Sequence, residues 1–376
     1  MGHYAPRTRF VELFVNQGGG TISRRDYVGV YVLVEKIKRG KNRVNITELG
    51  PGENTEPQVT GGYIFKRDHS NNESPAFTSR GGEYFFVEPD PDDITPAQSE
   101  WLQRHFQEAE RSIYGKSFLD PKRGYRRYID VPSFLDFHWL VEMSKNIDGL
   151  RYSVFFSKDR GGKIKLEPAW DWNLSFGIPN YLDGDSPSGW YTEQLRDSEI
   201  SWFRRLVQDP EFNQQQIDRW WELRRTVFQP ESILKRIDQM ASELREAQAR
   251  NFRRWPILGQ YVHPNAYAGA TYEDEIDYMK SWIRKRIAWI DSEIGQPPAL
   301  TPRNDAGTLR LTAKGRGQHY YTTDGSDPRQ AEGEPSVTAK PYQSPIPAPG
   351  QGKIIVRSKT DGGWSAPTTW QSNSTQ

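Results

Sequence analysis

The 376-residue chain contains no cysteine. Disulfides, thiolate zinc sites and a cysteine nucleophile are therefore excluded. Histidine is scarce, six in all, with no HxxxH or HExxH pair, so a histidine-based metal site is not expected. No apolar run approaches the ~20 residues of a membrane-spanning helix. Neither charge dominates: Lys plus Arg total 50 and Asp plus Glu total 49, a balance that argues against a nucleic-acid-binding surface. The N-terminal Met1-Gly2-His3-Tyr4-Ala5-Pro6 lacks the apolar stretch of a signal peptide. Hydrophobic residues are sparse at 35%, but aromatics reach 13%, enough for a folded chain with a ring-rich core.

The first third reads as strands and hairpins. Phe10–Val15, Tyr27–Ile37, Val44–Ile46, Tyr63–Lys66 and Tyr84–Val87 carry the β-branched and aromatic runs, and Gly61-Gly62 opens the fourth. Helices begin at Thr95-Pro96, where Thr95 is an N-cap and Gln98 completes a capping box. Trp101, Leu102, Phe106, Ala109 and Ile113 follow at helical spacing up to Gly115. A second helix starts at Asp130-Val131-Pro132-Ser133. A hairpin follows, Tyr152–Ser157 and Lys163–Pro168, turning at 159–162. From Ser198 to Gly295 the pattern is nearly all helix, with stripes Ile217/Trp220/Trp221/Leu223/Val227, Ile233/Ile237/Met240/Leu244 and Tyr278/Trp282/Ile283/Ile287/Trp289/Ile290. After the linker Gln296-Pro297-Pro298, short strands return at Leu309–Thr312, His319–Thr323 and Ile354–Ser358, a pattern that suggests a small β-sandwich.

Two segments carry candidate chemistry. Lys145-Asn146-Ile147-Asp148-Gly149 follows the second helix, and Trp170-Asp171-Trp172-Asn173-Leu174-Ser175-Phe176-Gly177 follows the hairpin. Carboxylates set beside large rings are costly unless hydrogen-bonded or holding a cation. Helix, Asp, hairpin, Asp is the layout of a kinase C-lobe, where one Asp positions the acceptor hydroxyl and the next binds metal. The same residues also read as plain helix-end and turn caps. The basic run Lys36, Lys38, Arg39, Lys41, Arg43 reads as a solvated hairpin.

These segments resemble the signature of the CotH kinase family. The likeness lies in Asn146-Ile147-Asp148-Gly149-Leu150-Arg151-Tyr152-Ser153, in Trp170-Asp171-Trp172-Asn173 through Gly177, and upstream in Tyr27-Val28-Gly29-Val30-Tyr31 through Glu35 and Ile37 and in Gly61–Lys66. It covers residues 1–296 and implies an α+β, bilobal, atypical protein-kinase-like domain, β-rich over 1–92 and mainly helical over 93–296. Asp148 then corresponds to the residue orienting the acceptor hydroxyl and Asp171 to the metal-binding Asp. Asn173 and Asn146 become further metal ligands, and Lys66, Glu35 and Ser153 nucleotide-binding residues; Lys66 reads equally as an exposed strand lysine. The family pattern has Asn where Ser153 stands and Asp where Asn173 stands, which implies weaker metal binding. His3–Arg9 resembles the interior of such a domain, so the expectation is a chain lacking the start of its first lobe and any signal peptide before it.

His319-Tyr320-Tyr321-Thr322-Thr323-Asp324-Gly325-Ser326-Asp327-Pro328 resembles the turn of chitobiase/hexosaminidase C-terminal-like domains. It implies a small immunoglobulin-like β-sandwich over 297–376 and an extracytoplasmic or cell-surface location. The expected activity is transfer of the ATP γ-phosphate to Ser or Thr of a protein, with Mg²⁺ or Mn²⁺. The alternatives are an inactive scaffold and a glycan-associated surface protein. A glycosidase is the weakest reading, because no pair of glycosidase carboxylates is evident.

Overall fold

The computed structural model describes residues 1–70, 74–303, 307–313, 317–348 and 352–371. It is α+β, with antiparallel sheets and seven α-helices among the described residues. Two compact units divide the chain: Met1–Arg205 with Gln229–Ile287, and Leu206–Phe228 with Ala288–Gln376.

In the first unit, β1 (Thr8–Phe14) and β2 (Tyr27–Val34) form an antiparallel ribbon. Strands β3 (Tyr63–Arg67), β4 (Phe77–Ser79) and β5 (Gly82–Glu88) belong to a separate sheet. Helix α1 (Pro96–Tyr114) opens with the expected capping box, since Gln98 N donates to Thr95 Oγ1 and Thr95 N donates to Gln98 Oε1. Helix α2 (Val131–Ser144) is capped by Asp130, whose carboxylate accepts from Ser133 N. It is buried on nearly every side, as expected of a central helix. Strands β6 (Val154–Lys158) and β7 (Ile164–Leu166) complete a sheet of order β4-β5-β3-β6-β7, all antiparallel. Gly61, ahead of β3, is obligatory because a Cβ would meet Arg160 N at 2.1 Å.

The core between this sheet and its helices is aromatic. Phe65 stacks on Phe156 at 5.1 Å, and both meet Phe106 edge-on. Trp202 closes the cluster, and its Nε1 donates to the buried Glu110 at 3.0 Å.

The remaining helices are α3 (Trp202–Leu206), α4 (Pro210–Arg224), α5 (Pro230–Glu243), α6 (Arg245–Arg254) and α7 (Tyr272–Ile294). Residues 255–271 break the expected helical stretch. Pro256 and Pro264 remove donors and disfavour helical geometry in the residues before them, and Gly259 and Gly269 punctuate the rest. Val44–Ile46 is not a strand; only Val44 bridges, to Arg39, because Gly40–Asn42 turns the chain too tightly for a ladder. The β2 strand stops at Val34, three residues short of Ile37. Val227 lies beyond α4 and is exposed, and Leu234 replaces the expected Ile233 as the buried residue of α5.

The second unit holds α4 and the strands β8 (Ala299–Arg303), β9 (Thr308–Thr312), β10 (Gln318–Thr322), β11 (Lys340–Pro341), β12 (Ile346–Pro347), β13 (Lys353–Thr360), β14 (Gly363–Trp364) and β15 (Thr368–Gln371). They make two antiparallel sheets, β12-β9-β8 and β11-β10-β13-β14 with β15 on β13. Leu309, Leu311, Ile346, Ile354 and Val356 form their shared core. Arg357, almost fully buried, reaches from β13 to Asp218 of α4 and to Asp327. Arg329 likewise pairs with Glu211 of α4 at 2.9 Å.

Candidate active site

Two loops of the first unit are laced together. Helix α2 ends at Lys145, which takes the left-handed conformation with φ 47° and turns the chain sharply. Asn146 Oδ1 then accepts from Asp148 N at 3.1 Å, and the Asp148 carbonyl accepts from Arg151 N and Tyr152 N. The second loop follows β7. Ile147 N donates to Leu174 O at 3.1 Å, and Phe176 N donates to Ser144 O at 2.7 Å. Trp172 Nε1 donates to Ser144 Oγ at 2.7 Å, and Asn146 Nδ2 donates to the Asp171 carbonyl at 3.4 Å. Ser153 and Asp171 both carry positive φ, 55° and 60°. Such backbone is uncommon outside glycine and gathers at functional sites. Gly177 closes the segment at φ 85°, where a Cβ would lie 2.5 Å from the Trp282 ring.

The electrostatics of the loops agree with that lacing. Burial lifts the Asp148 carboxyl above its ordinary pKa; Asp171 and Asp68 add to the rise, against Arg151 and His69. Asp171 is more exposed, yet it too is lifted, first by the atoms packed around it and then by Asp68. A hydrogen bond from the Ser153 hydroxyl works the other way. Asp171 and Asp68 thus disfavour the charged form of Asp148, and Asp68 that of Asp171.

The oxygen donors here are hard, the type that suits Mg²⁺ or Mn²⁺. Among the described residues no three His, Asp or Glu side chains close into a ready-made metal cage. A nucleotide-bound Mg²⁺ does not require one, since it is held by one or two carboxylates together with substrate phosphates and waters. The donor set therefore fits such an ion.

Asn146, Asp148, Ser153 and Asp171 come together, while Asn173 is exposed on the same loop. Lys66 lies on β3 and pairs with Asp68 at 3.0 Å. Glu35 is engaged elsewhere. It takes hydrogen bonds from Arg7, Arg43 and Tyr4, which hold its carboxyl down at about 2, and it is not brought to Lys66. Asp68 is the residue the sequence reading missed. Strand alternation places it on the face of Lys66, two positions on, and that spacing could have flagged it. His69, stacked on Tyr152 at 3.6 Å, was missed as well.

Beneath the loops lies a fully buried ion pair, Glu142 and Arg286, at 2.9 Å. Glu142 also accepts from Tyr191 N, Thr192 N and Thr192 Oγ1, and the Tyr191 hydroxyl donates to the Ile147 carbonyl next to Asp148.

Two laced acidic loops on an α+β body of antiparallel sheets and helices agree with a kinase-like protein. A family model described as CotH kinase protein matches residues 1–290, and the chain belongs to the CotH kinase family. Membership brings atypical kinase activity, with the ATP and divalent-metal use and the protein substrate general to kinases. No curated protein matches the chain. Among the described residues no helix is long and apolar enough to cross a membrane.

Proposed function

We propose that the protein transfers the γ-phosphoryl group of ATP to a Ser or Thr hydroxyl of a protein, in a reaction that requires Mg²⁺ or Mn²⁺. The observation that carries this reading is the lacing of the Asp148 and Asp171 loops by hydrogen bonds, which brings the Asp171 charge to bear on Asp148. Asp148 orients the acceptor hydroxyl and takes its proton as the new O–P bond forms and the bond to the ADP oxygen breaks. Its raised pKa makes it a better proton acceptor than an ordinary aspartate. Asp171 holds the cation, with Asn173 and the remaining lone pair of Asn146 Oδ1 as further oxygens. When bound, the cation neutralises charge on the phosphates. Lys66 and Ser153 serve the phosphate side, Lys66 after leaving Asp68. Any nucleotide role of Glu35 runs through Arg7 and Arg43.

In this reading residues 1–92 and 93–296 are the two lobes of the kinase. The sheets of 297–376 form an immunoglobulin-like, chitobiase-type module suited to an extracytoplasmic or cell-surface protein. A catalytically silent scaffold is the second reading, favoured by the hydroxyl of Ser153 where the family pattern has an amide and by the uncharged Asn173 where it has Asp. Incubation with ATP and Mn²⁺ followed by mass spectrometry decides. Added phosphate in wild type but not in Asp171→Ala or Asp148→Ala supports transfer. No phosphate, and no thermal stabilisation by ATP with metal, sinks it.

A further inference from the structure

The stretch of chain just after the acidic loops returns to the stem of the Asp148 loop. It departs where Leu174 O and Phe176 N bond Ile147 and Ser144. It comes back where Lys145 Nζ donates to Ser186 O at 3.1 Å and Ser188 O at 2.7 Å. Lys145 itself is fully buried. Residues 177–185 are thus a strap anchored at both ends on the residues immediately before Asp148.

The strap is held stiffly. Leu182 and Asp183 are consecutive non-glycine residues with positive φ, 53° and 49°. Each such residue costs about 1–2 kcal/mol and persists only where its surroundings enforce it. Gly184 N donates to Tyr181 O and closes the turn. The non-helical segment after α6 supports the other side. Asn180 N donates to Pro264 O at 2.8 Å, Ala266 N donates to Ile178 O at 2.7 Å, and Asn180 Nδ2 donates to the Tyr261 hydroxyl at 2.8 Å. The His263 ring lies nearly parallel to the Tyr181 ring, 6.4 Å away.

At the tip of this mount the Tyr181 side chain leads outward, and the residue keeps 39% of its surface exposed. Burial raises the pKa of its phenol first, and the Asp148 charge adds to the rise against Arg151. Apart from the His263 ring, the Tyr181 side chain has no aromatic contact or hydrogen bond among the described residues.

We propose that Tyr181 is a specificity-determining residue on the acceptor side: its ring is the wall against which a polypeptide segment lies when its hydroxyl is presented to Asp148. The ring face suits the side chains flanking the acceptor, and the phenol hydroxyl suits a backbone amide or carbonyl. This rests on the phosphotransfer reading. It adds that strap and supporting segment together select the acceptor, apart from the nucleotide.

The test compares wild type, Tyr181→Ala and Tyr181→Trp, with dephosphorylated casein as acceptor. Casein is varied at saturating ATP, and ATP hydrolysis without casein is followed separately. The strap turn is closed by the backbone bond from Gly184 N to Tyr181 O, which both variants can keep. Tyr181→Ala is expected to raise KM for casein by about fivefold or more, with KM for ATP and the hydrolysis rate unchanged. Tyr181→Trp, which enlarges the same wall, is expected to shift KM for casein without touching the ATP parameters. Unaltered casein KM in both folded variants overturns the proposal, as does ATP hydrolysis falling in step with transfer. A wild-type chain that neither phosphorylates casein nor hydrolyses ATP overturns the phosphotransfer reading, and this inference with it.

Discussion

Replacing Arg286 with Met should unfold the first unit far more readily than its distance from any surface contact would suggest. The guanidinium is fully buried and makes four bonds in addition to those of its own helix. Nη2 meets Glu142 Oε2 at 2.9 Å, Nε meets Glu142 O at 2.8 Å, and Nη1 meets Pro187 O and Gly189 O at 3.0 and 2.8 Å. Burial lowers its pKa to about 10, so it stays charged at neutral pH. Methionine fills much of the volume but leaves Glu142 as a buried anion with three N–H and O–H donors and without its hydrogen-bonded countercharge. Breaking one partner of such a pair costs about 3–5 kcal/mol. For a unit of this size that corresponds to a fall in Tm of roughly 6–20 °C. Guanidinium denaturation followed by Trp fluorescence would measure it. The double variant Glu142→Leu, Arg286→Met removes both charges and should be less destabilised than Arg286→Met alone. A loss below about 1 kcal/mol for Arg286→Met would show that the pair is solvated or dispensable, and the reasoning would fail.

Other outcomes follow from the same structure. At neutral pH the charged form of Asp148 is disfavoured by burial and by its acidic neighbours, so Asp148→Asn should raise Tm while abolishing transfer, as read by calorimetry and phosphate incorporation. His3 is raised to about 9 by Asp136 and Glu167. Its stabilising contribution is full below its unfolded pKa of about 6.5 and lost as pH rises through 9, so His3→Ala should flatten the decline in stability across that window. Arg357→Met should cost the second unit about 1–2 kcal/mol in urea unfolding, less than for a fully buried pair, because the part-exposed Asp218 and Asp327 lose their shared cation but stay solvated.

The sequence was most legible where physical cause is local. Thr95 and Gln98 cap α1 within four residues of chain, and Asp130 caps α2 through its own turn. Asp148, Asp171, Asn146 and Ser153 were singled out by motif, and the fold lays them around one another. Long-range pairs were not legible. Glu142 and Arg286 lie in separate helices, each reading as an ordinary surface charge until packing buries both. The partners of Glu35 were hidden for the same reason, since Arg7 reaches it only because β1 and β2 pair. Residues 255–271 fell within the stretch read as nearly all helix although no apolar stripe was assigned to them, and prolines decided otherwise.

The membership of α4 in the second unit sets an order of events during synthesis. Phe212, Trp220 and Trp221 of that helix are buried in the folded protein, yet the segment leaves the ribosome about 150 residues before its sheets are complete. At about 5–20 residues per second the wait is roughly 7–30 s, during which those rings stand open to water and to chaperones. A ribosome that stalls once Ile287 has cleared its exit tunnel would display a nascent chain whose first unit can close while α4 remains adhesive. Quality control of this protein is therefore expected to act on its middle and not on its ends.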